Sequence, residues 1–136
     1  MTTQLGVDFS TAAVRLMDSG ATLNVTGSAG YNDILLSNIS NASGIDTTFN
    51  AYSAYKIAPV ANSQITSQVG KLNLNLISKS TNTAYGVSLG LGGIAINANG
   101  GNIYIASDYM VLQNTTGTNT NSIMSNGGQI TLAPYN

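Results

Sequence analysis

Nine side chains in this chain carry charge: Asp8, Arg15, Asp18, Asp33, Asp46, Lys56, Lys71, Lys79 and Asp108. There is no His, no Cys, no Trp and no Glu. That set leaves little for acid–base, nucleophilic or metal chemistry. Imidazole, the side chain that titrates near neutral pH, is absent. So are the thiolates that hold zinc or attack carbonyls. Five Asp could in principle ligate a hard cation. None falls in a D-x-D or D-x-N-x-D loop, and even the closest pair, Asp8 and Asp18, lies well apart in the chain. A glycosidase needs two placed carboxylates, one with a raised pKa, and this spacing places none. The Asp residues read as solvated or capping groups. No catalytic residue, metal ligand or cofactor is expected.

Two glycine-containing segments are candidates for phosphate binding, and neither holds up. Gly6-Val7-Asp8-Phe9-Ser10-Thr11 has the outline of the phosphate loop of sugar kinases and actin-like ATPases, but that fold needs two large lobes. Gly90-Leu91-Gly92-Gly93-Ile94-Ala95 fits a loose G-x-G-x-x-A pattern. Its mechanism requires a helix N-terminus at the pyrophosphate, and the residues from Ile94 to Gly100 read as strand and turn. The Thr-rich run 115–120 raises ice binding, yet it contains Gly117 and Asn119 and reads as a loop. Four N-x-S/T sequons match what 17 Asn and 30 Ser plus Thr give by chance.

The elements that would position any site are strands. Asn, Ser, Thr and Gly supply 62 of the 136 residues, so good helix formers are scarce. The best helical candidate, Ser10 to Asp18, also fits a short strand. Strict alternation marks Lys71 to Leu76, Tyr85 to Leu91, Ile94 to Asn97, Ile103 to Ile105, Ile130 to Leu132 and Thr22 to Thr26, and period two is the mark of a half-buried strand. Glycine pairs punctuate the pattern at Gly92-Gly93, Asn99-Gly100-Gly101 and Asn126-Gly127-Gly128. Asn-Gly is the strongest short hairpin signal. The three segments that open on these pairs resemble one another. The first two begin close together, at Gly92 and Gly100, and the third only at Gly127. That spacing looks too uneven for a solenoid repeat. Residues 38–50 and 113–122 read as loops. These signals predict a single all-β domain over 1–136: an antiparallel β-sandwich or jelly-roll-like protomer, with a β-helical C-terminal part as the variant.

Charge is the compositional outlier. Only 7% of residues are charged, against about 25% in ordinary soluble domains. The closest two of the four cations, Lys71 and Lys79, are a whole strand apart, so no basic stripe exists to displace counterions from nucleic acid. No apolar run approaches the roughly 20 residues of a membrane span. Residues 1–8 lack a basic and an apolar region, which predicts no signal peptide, and Met1 favours a chain kept in a cytoplasm. Near-neutral, amide-rich surfaces favour self-association. Seven Tyr stand against two Phe, a bias that suits interfaces or sugar-binding surfaces. Tyr104 and Tyr109 flank the strongest hairpin signal. With Tyr85, Ile103 and Ile105 they form the expected interface.

Low charge, no Cys, Asn/Ser/Thr/Gly-rich strands, glycine-pair turns and Met1 together resemble bacteriophage virion surface proteins: capsid decoration (cement) proteins, head spikes and tail-fibre segments. The resemblance is compositional and spans the whole chain. It implies a β-rich homotrimer on the virion surface, attached to a capsid or tail protein. No motif matches residue by residue, so no functional residue is carried over. Two other readings stand beside it: a self-polymerising extracellular filament or surface-layer subunit, and a carbohydrate-binding module using surface Tyr with Asn and Asp on glycans.

Overall fold

The computed structural model describes residues 2–3, 7–8, 13–17, 20–27, 33–83, 86–113 and 119–136. Among them every regular element is a strand. In chain order these are β1 (Thr2–Thr3), β2 (Val7–Asp8), β3 (Val14–Leu16), β4 (Thr22–Gly27), β5 (Ile34–Leu36), β6 (Ile39–Asn41), β7 (Thr47–Ser53), β8 (Lys56–Pro59), β9 (Gln64–Ser67), β10 (Leu72–Ser78), β11 (Gly86–Ser88), β12 (Ala95–Asn97), β13 (Ile103–Ala106), β14 (Met110–Val111), β15 (Ser122–Met124) and β16 (Ile130–Ala133).

The chain visits three sheets in rotation. The first sheet runs β1-β4-β7-β10-β13-β16, the second β14-β11-β8-β5-β2 and the third β15-β12-β9-β6-β3. Each strand pairs with the strand three places on, and all these pairings are parallel. The chain therefore coils, returning to the same sheet one rung further on. This is a β-solenoid.

Alternation supplies the inside of the coil. In β7 and β10 every second residue is buried. The register then stacks like on like. Phe49, Leu74 and Ile103 are successive partners in the first sheet, as are Ala51, Leu76 and Ile105. Ile34, Ile57 and Val87 line up in the second sheet, and Ile39, Ile65 and Ile96 in the third. All are 1% exposed or less, and they form one core cluster. Strand spacing of about 4.8 Å puts each of these side chains in van der Waals contact with its neighbours above and below.

The expected antiparallel sandwich or jelly roll is corrected by this topology. The Asn-Gly turns have the backbone that suggested hairpins: Asn99 and Asn126 sit at φ 48° and 51°. A left-handed Asn bends the chain but does not dictate which strand the next one pairs with. Here the bend is a corner from the third sheet to the first. After it the chain pairs with the previous turn. Gly101 lies against Leu72, and a Cβ there would fall on the Leu72 carbonyl; at Gly128 it would fall on the Gly101 carbonyl. The glycine pairs thus allow rung-to-rung contact at the corner. The step from Gly101 to Gly128 is one turn of the coil.

Other expectations resolve locally. The strands read from alternation occur with different bounds: β4, β10, β13 and β16 run past their expected ends, whereas β11 and β12 cover less than expected. Val14–Leu16, inside the helix candidate, is a strand. The expected loop over 38–50 contains β6 and the start of β7. Of the 113–122 loop, residues 114–118 lie outside the described residues, and Ser122 opens β15.

Corners bury polar groups, and each needs a partner. Ser53, Ser78 and Ser107 are at most 2% exposed where the first sheet turns into the second. Ser53 Oγ accepts from Tyr55 N at 3.0 Å. Ser78 Oγ donates to the Tyr55 carbonyl. Ser107 Oγ donates to the Tyr109 carbonyl at 2.8 Å. At the corner after β6, buried Asn41 donates to the carbonyls of Ile45 (2.6 Å) and Lys71 (3.1 Å) and accepts from Ser43 N and Oγ.

Candidate interaction surface

The outward positions of the first sheet form registered columns. One holds Thr22, Thr48, Asn73, Asn102 and Gln129, where Asn102 and Gln129 lie just ahead of their strands; the next holds Asn24, Asn50, Asn75, Tyr104 and Thr131. A third holds Thr26, Tyr52, Ile77 and Ala133, with Ala106 in register between the last two but buried at 2% exposure. No residue in these columns carries a charge. Lys71, Lys79 and Asp108 sit at the margins, just outside the strands.

Amides bind the rungs together on this face. Asn50 Nδ2 donates to Asn24 Oδ1 at 2.7 Å, and Asn75 Nδ2 to Asn50 Oδ1 at 2.6 Å. A second device recurs at strand entrances, where a side-chain oxygen accepts a backbone N–H from the next turn. Asn38 takes Gln64 N (2.8 Å), Asp46 takes Lys71 N (3.1 Å), Asn73 takes Asn102 N (3.0 Å) and Asn102 takes Gln129 N (3.0 Å). Asp108 makes a similar contact at a strand exit, past the end of β13. Its Oδ1 accepts Tyr135 N at 2.9 Å and Asn136 N at 3.1 Å, and its Oδ2 accepts Asn136 Nδ2 at 2.7 Å. The Asn136 backbone and side-chain donors, with Tyr135 N, hold this carboxyl below its usual value, because hydrogen bonds to the charged form favour it.

The expected interface residues separate in space. Ile103 and Ile105 point into the coil at 1% and 0% exposure, so neither belongs to the described surface. Tyr104 lies between them, half-buried on the neutral outer face. Tyr109 sits in the following corner, also half-buried, with its N–H on Ser107 Oγ at 3.3 Å. Tyr85 lies outside the described residues. Tyr52, not singled out from the sequence, shares the outer face with Tyr104.

Chemistry-bearing clusters are absent among the described residues. No three His, Cys, Asp or Glu come together there to hold a metal ion. An open hollow of about 520 Å³ is lined by Met110, Val111, Leu112 and Gln113, none of them titratable. No helix is long and apolar enough to cross a membrane among the described residues. What this surface can do is pack closely and hydrogen-bond, since burying it desolvates no ion.

The amide ladder was missed in the sequence, although a signal for it exists. Leu23-Asn24-Val25, Phe49-Asn50-Ala51, Leu74-Asn75-Leu76, Ile103-Tyr104-Ile105 and Ile130-Thr131-Leu132 repeat one apolar–outward–apolar triplet per turn. No family model, curated protein or solved structure matches this chain.

Proposed function

We propose that this protein is a structural subunit that works by packing against copies of itself and a larger scaffold, in the manner of virion surface proteins of the decoration, spike or fibre type. The observation that carries the reading is the chargeless outer face of the first sheet, with its registered rungs of amides, hydroxyls and two tyrosines. Such a face can be buried without desolvating a single ion, and the parallel ladder beneath it holds it rigid. A homotrimer is the favoured assembly. Light scattering of the purified chain tests this. Oligomers are expected that dissociate in the Thr48→Lys/Thr131→Lys double variant, because each Lys would have to be desolvated. A chain that stays monomeric at high concentration, and does not attach to capsids or fibres, overturns the proposal.

A second reading is favoured by Tyr52 and Tyr104, which add flat, partly apolar platforms to a face of neutral hydrogen-bonding groups. That combination suits neutral glycans. Retention on a glycan array that is lost in Tyr104→Ala supports it, and an array without hits removes it.

A further inference from the structure

The sequence holds two Asn-Gly dipeptides, Asn99-Gly100 and Asn126-Gly127, one turn of the coil apart. Both asparagines share the same left-handed backbone. Their surroundings differ. Asn99 is half-buried, and its Nδ2 donates to the carbonyls of Gly70 (2.9 Å) and Gln68 (3.3 Å). The N–H of Gly100 is engaged as well, donating to the Ser125 carbonyl at 2.5 Å. Asn126 is exposed, and so is Gly127. Among the described residues, the Asn126 amide bonds only to Asn97 Oδ1, at 2.8 Å, and the N–H of Gly127 meets no acceptor. A Cβ placed on Gly127 would find no atom within 4 Å.

We propose that Asn126-Gly127 is a site of spontaneous deamidation, and that the fold shields Asn99-Gly100 from the same reaction. The nitrogen of Gly127 attacks Cγ of Asn126. The new N–Cγ bond closes a succinimide, the Cγ–Nδ2 bond breaks, and ammonia leaves with the proton lost from the Gly127 amide. Water then opens the ring at either carbonyl, giving Asp or isoaspartate. Nothing is oxidised or reduced. At Asn99 the attacking nitrogen must first release Ser125, and the side chain must leave two carbonyls. At Asn126 one side-chain bond restrains the amide.

The product acts on the ladder. Residues 109–136 contain no charged side chain, so the reaction puts a side-chain or isoaspartyl carboxylate where the sequence places none. The new carboxylate would also face Asn97 Oδ1, which has lost the Asn126 donor. Isoaspartate lengthens the backbone just ahead of Gly128, whose fit against the Gly101 carbonyl leaves no slack. The register of β16 on β13 is what gives way. None of this depends on how copies assemble.

The test is timed incubation of the folded chain at mildly alkaline pH, with peptide mapping by mass spectrometry and isoaspartate detection. A parallel sample is kept in denaturant. Folded protein is expected to convert Asn126 at least about tenfold faster than Asn99, the difference that one or two retained hydrogen bonds make to a rate. In denaturant the two sites should convert at similar rates. Equal rates in the folded protein, faster loss of Asn99, or an intact Asn126 over a period in which denatured chain converts would each overturn the proposal.

Discussion

Asn75 and Asn50 lie 25 residues apart in sequence and are joined by a 2.6 Å bond between their carboxamides on the outer face of the first sheet. Asn50 passes the ladder on to Asn24 at 2.7 Å. An amide is suited to this position because it donates and accepts at once, so a column of them can link every rung. The same property makes Asn50 the sensitive member.

Asn50→Ala removes both bonds and should cost about 1–2 kcal/mol, on the usual net value of about 1 kcal/mol per hydrogen bond. Asn50→Asp keeps an acceptor for Asn75 but sets a carboxylate against Asn24 Oδ1. It should destabilise above the carboxylate range and recover when acidified. Urea melts at two pH values check both.

Thr47 holds the opposite kind of position. It is 1% exposed on the inner face of β7, and its Oγ1 is buried with no hydrogen-bond partner. An unsatisfied buried hydroxyl costs about 1–3 kcal/mol. Thr47→Val keeps the β-branched shape and should raise stability by about 1 kcal/mol, seen as a higher melting temperature. An unchanged or lower value would show that the hydroxyl is satisfied.

Gly101 tests the corner. A Cβ there would fall on the Leu72 carbonyl of the preceding rung, so a methyl group has nowhere to go. Gly101→Ala must push β13 off β10 and should cost about 3 kcal/mol or more, in the upper range for a point change. Gly44→Ala is the control. Gly44 has a positive φ, 80°, but open space around its Cβ position. Only backbone strain of about 1 kcal/mol is expected there. Chemical denaturation of the two variants separates steric from conformational cost.

Alternation in Leu72–Leu76 and Ile103–Ile105 made the strands and their inward residues legible, because period two is a local property. Partner choice is not local. Asn99-Gly100 has the backbone of a hairpin turn, and whether the next strand folds back or climbs is decided by what Ile103 stacks on. Here that is Leu74, in the preceding turn of the coil. Turn lengths also vary: the step from Thr47 to its partner Leu72 is shorter than the step from Leu74 to its partner Ile103. The repeat, and with it the amide ladder, was hidden mainly because the glycine pairs mark two different corners: Gly92-Gly93 leads into β12 of the third sheet, Gly100-Gly101 and Gly127-Gly128 into β13 and β16 of the first. Tyr104 was legible as a surface group. Ile103 and Ile105 follow from the same alternation and belong inside.

Asp108 gives the fold a pH-dependent contact with a clear sign. Its carboxylate accepts three donors from the last two residues, and Lys79 Nζ lies 5.8 Å from the centre of the Tyr135 ring beside them. Hydrogen bonds to the charged form favour it, so the folded carboxyl titrates below its unfolded value of 3.8. The linkage then runs one way. The contribution is fully present above the unfolded pKa and is lost as pH falls through the lower folded one. Amide exchange at Tyr135 and Asn136 should therefore be slow near neutrality, after correction for intrinsic rate, and lose protection only in strong acid. Asp108→Asn keeps one acceptor oxygen, so it should weaken this protection at neutral pH and leave no titration. The effect should stay confined to the tail, with no change in protection at Leu74 or Ile96, because the core columns are formed without it. Protection at Tyr135 that persists unchanged in Asp108→Ala would mean that the Lys79–Tyr135 contact, and not the carboxylate, holds the end of the chain in place.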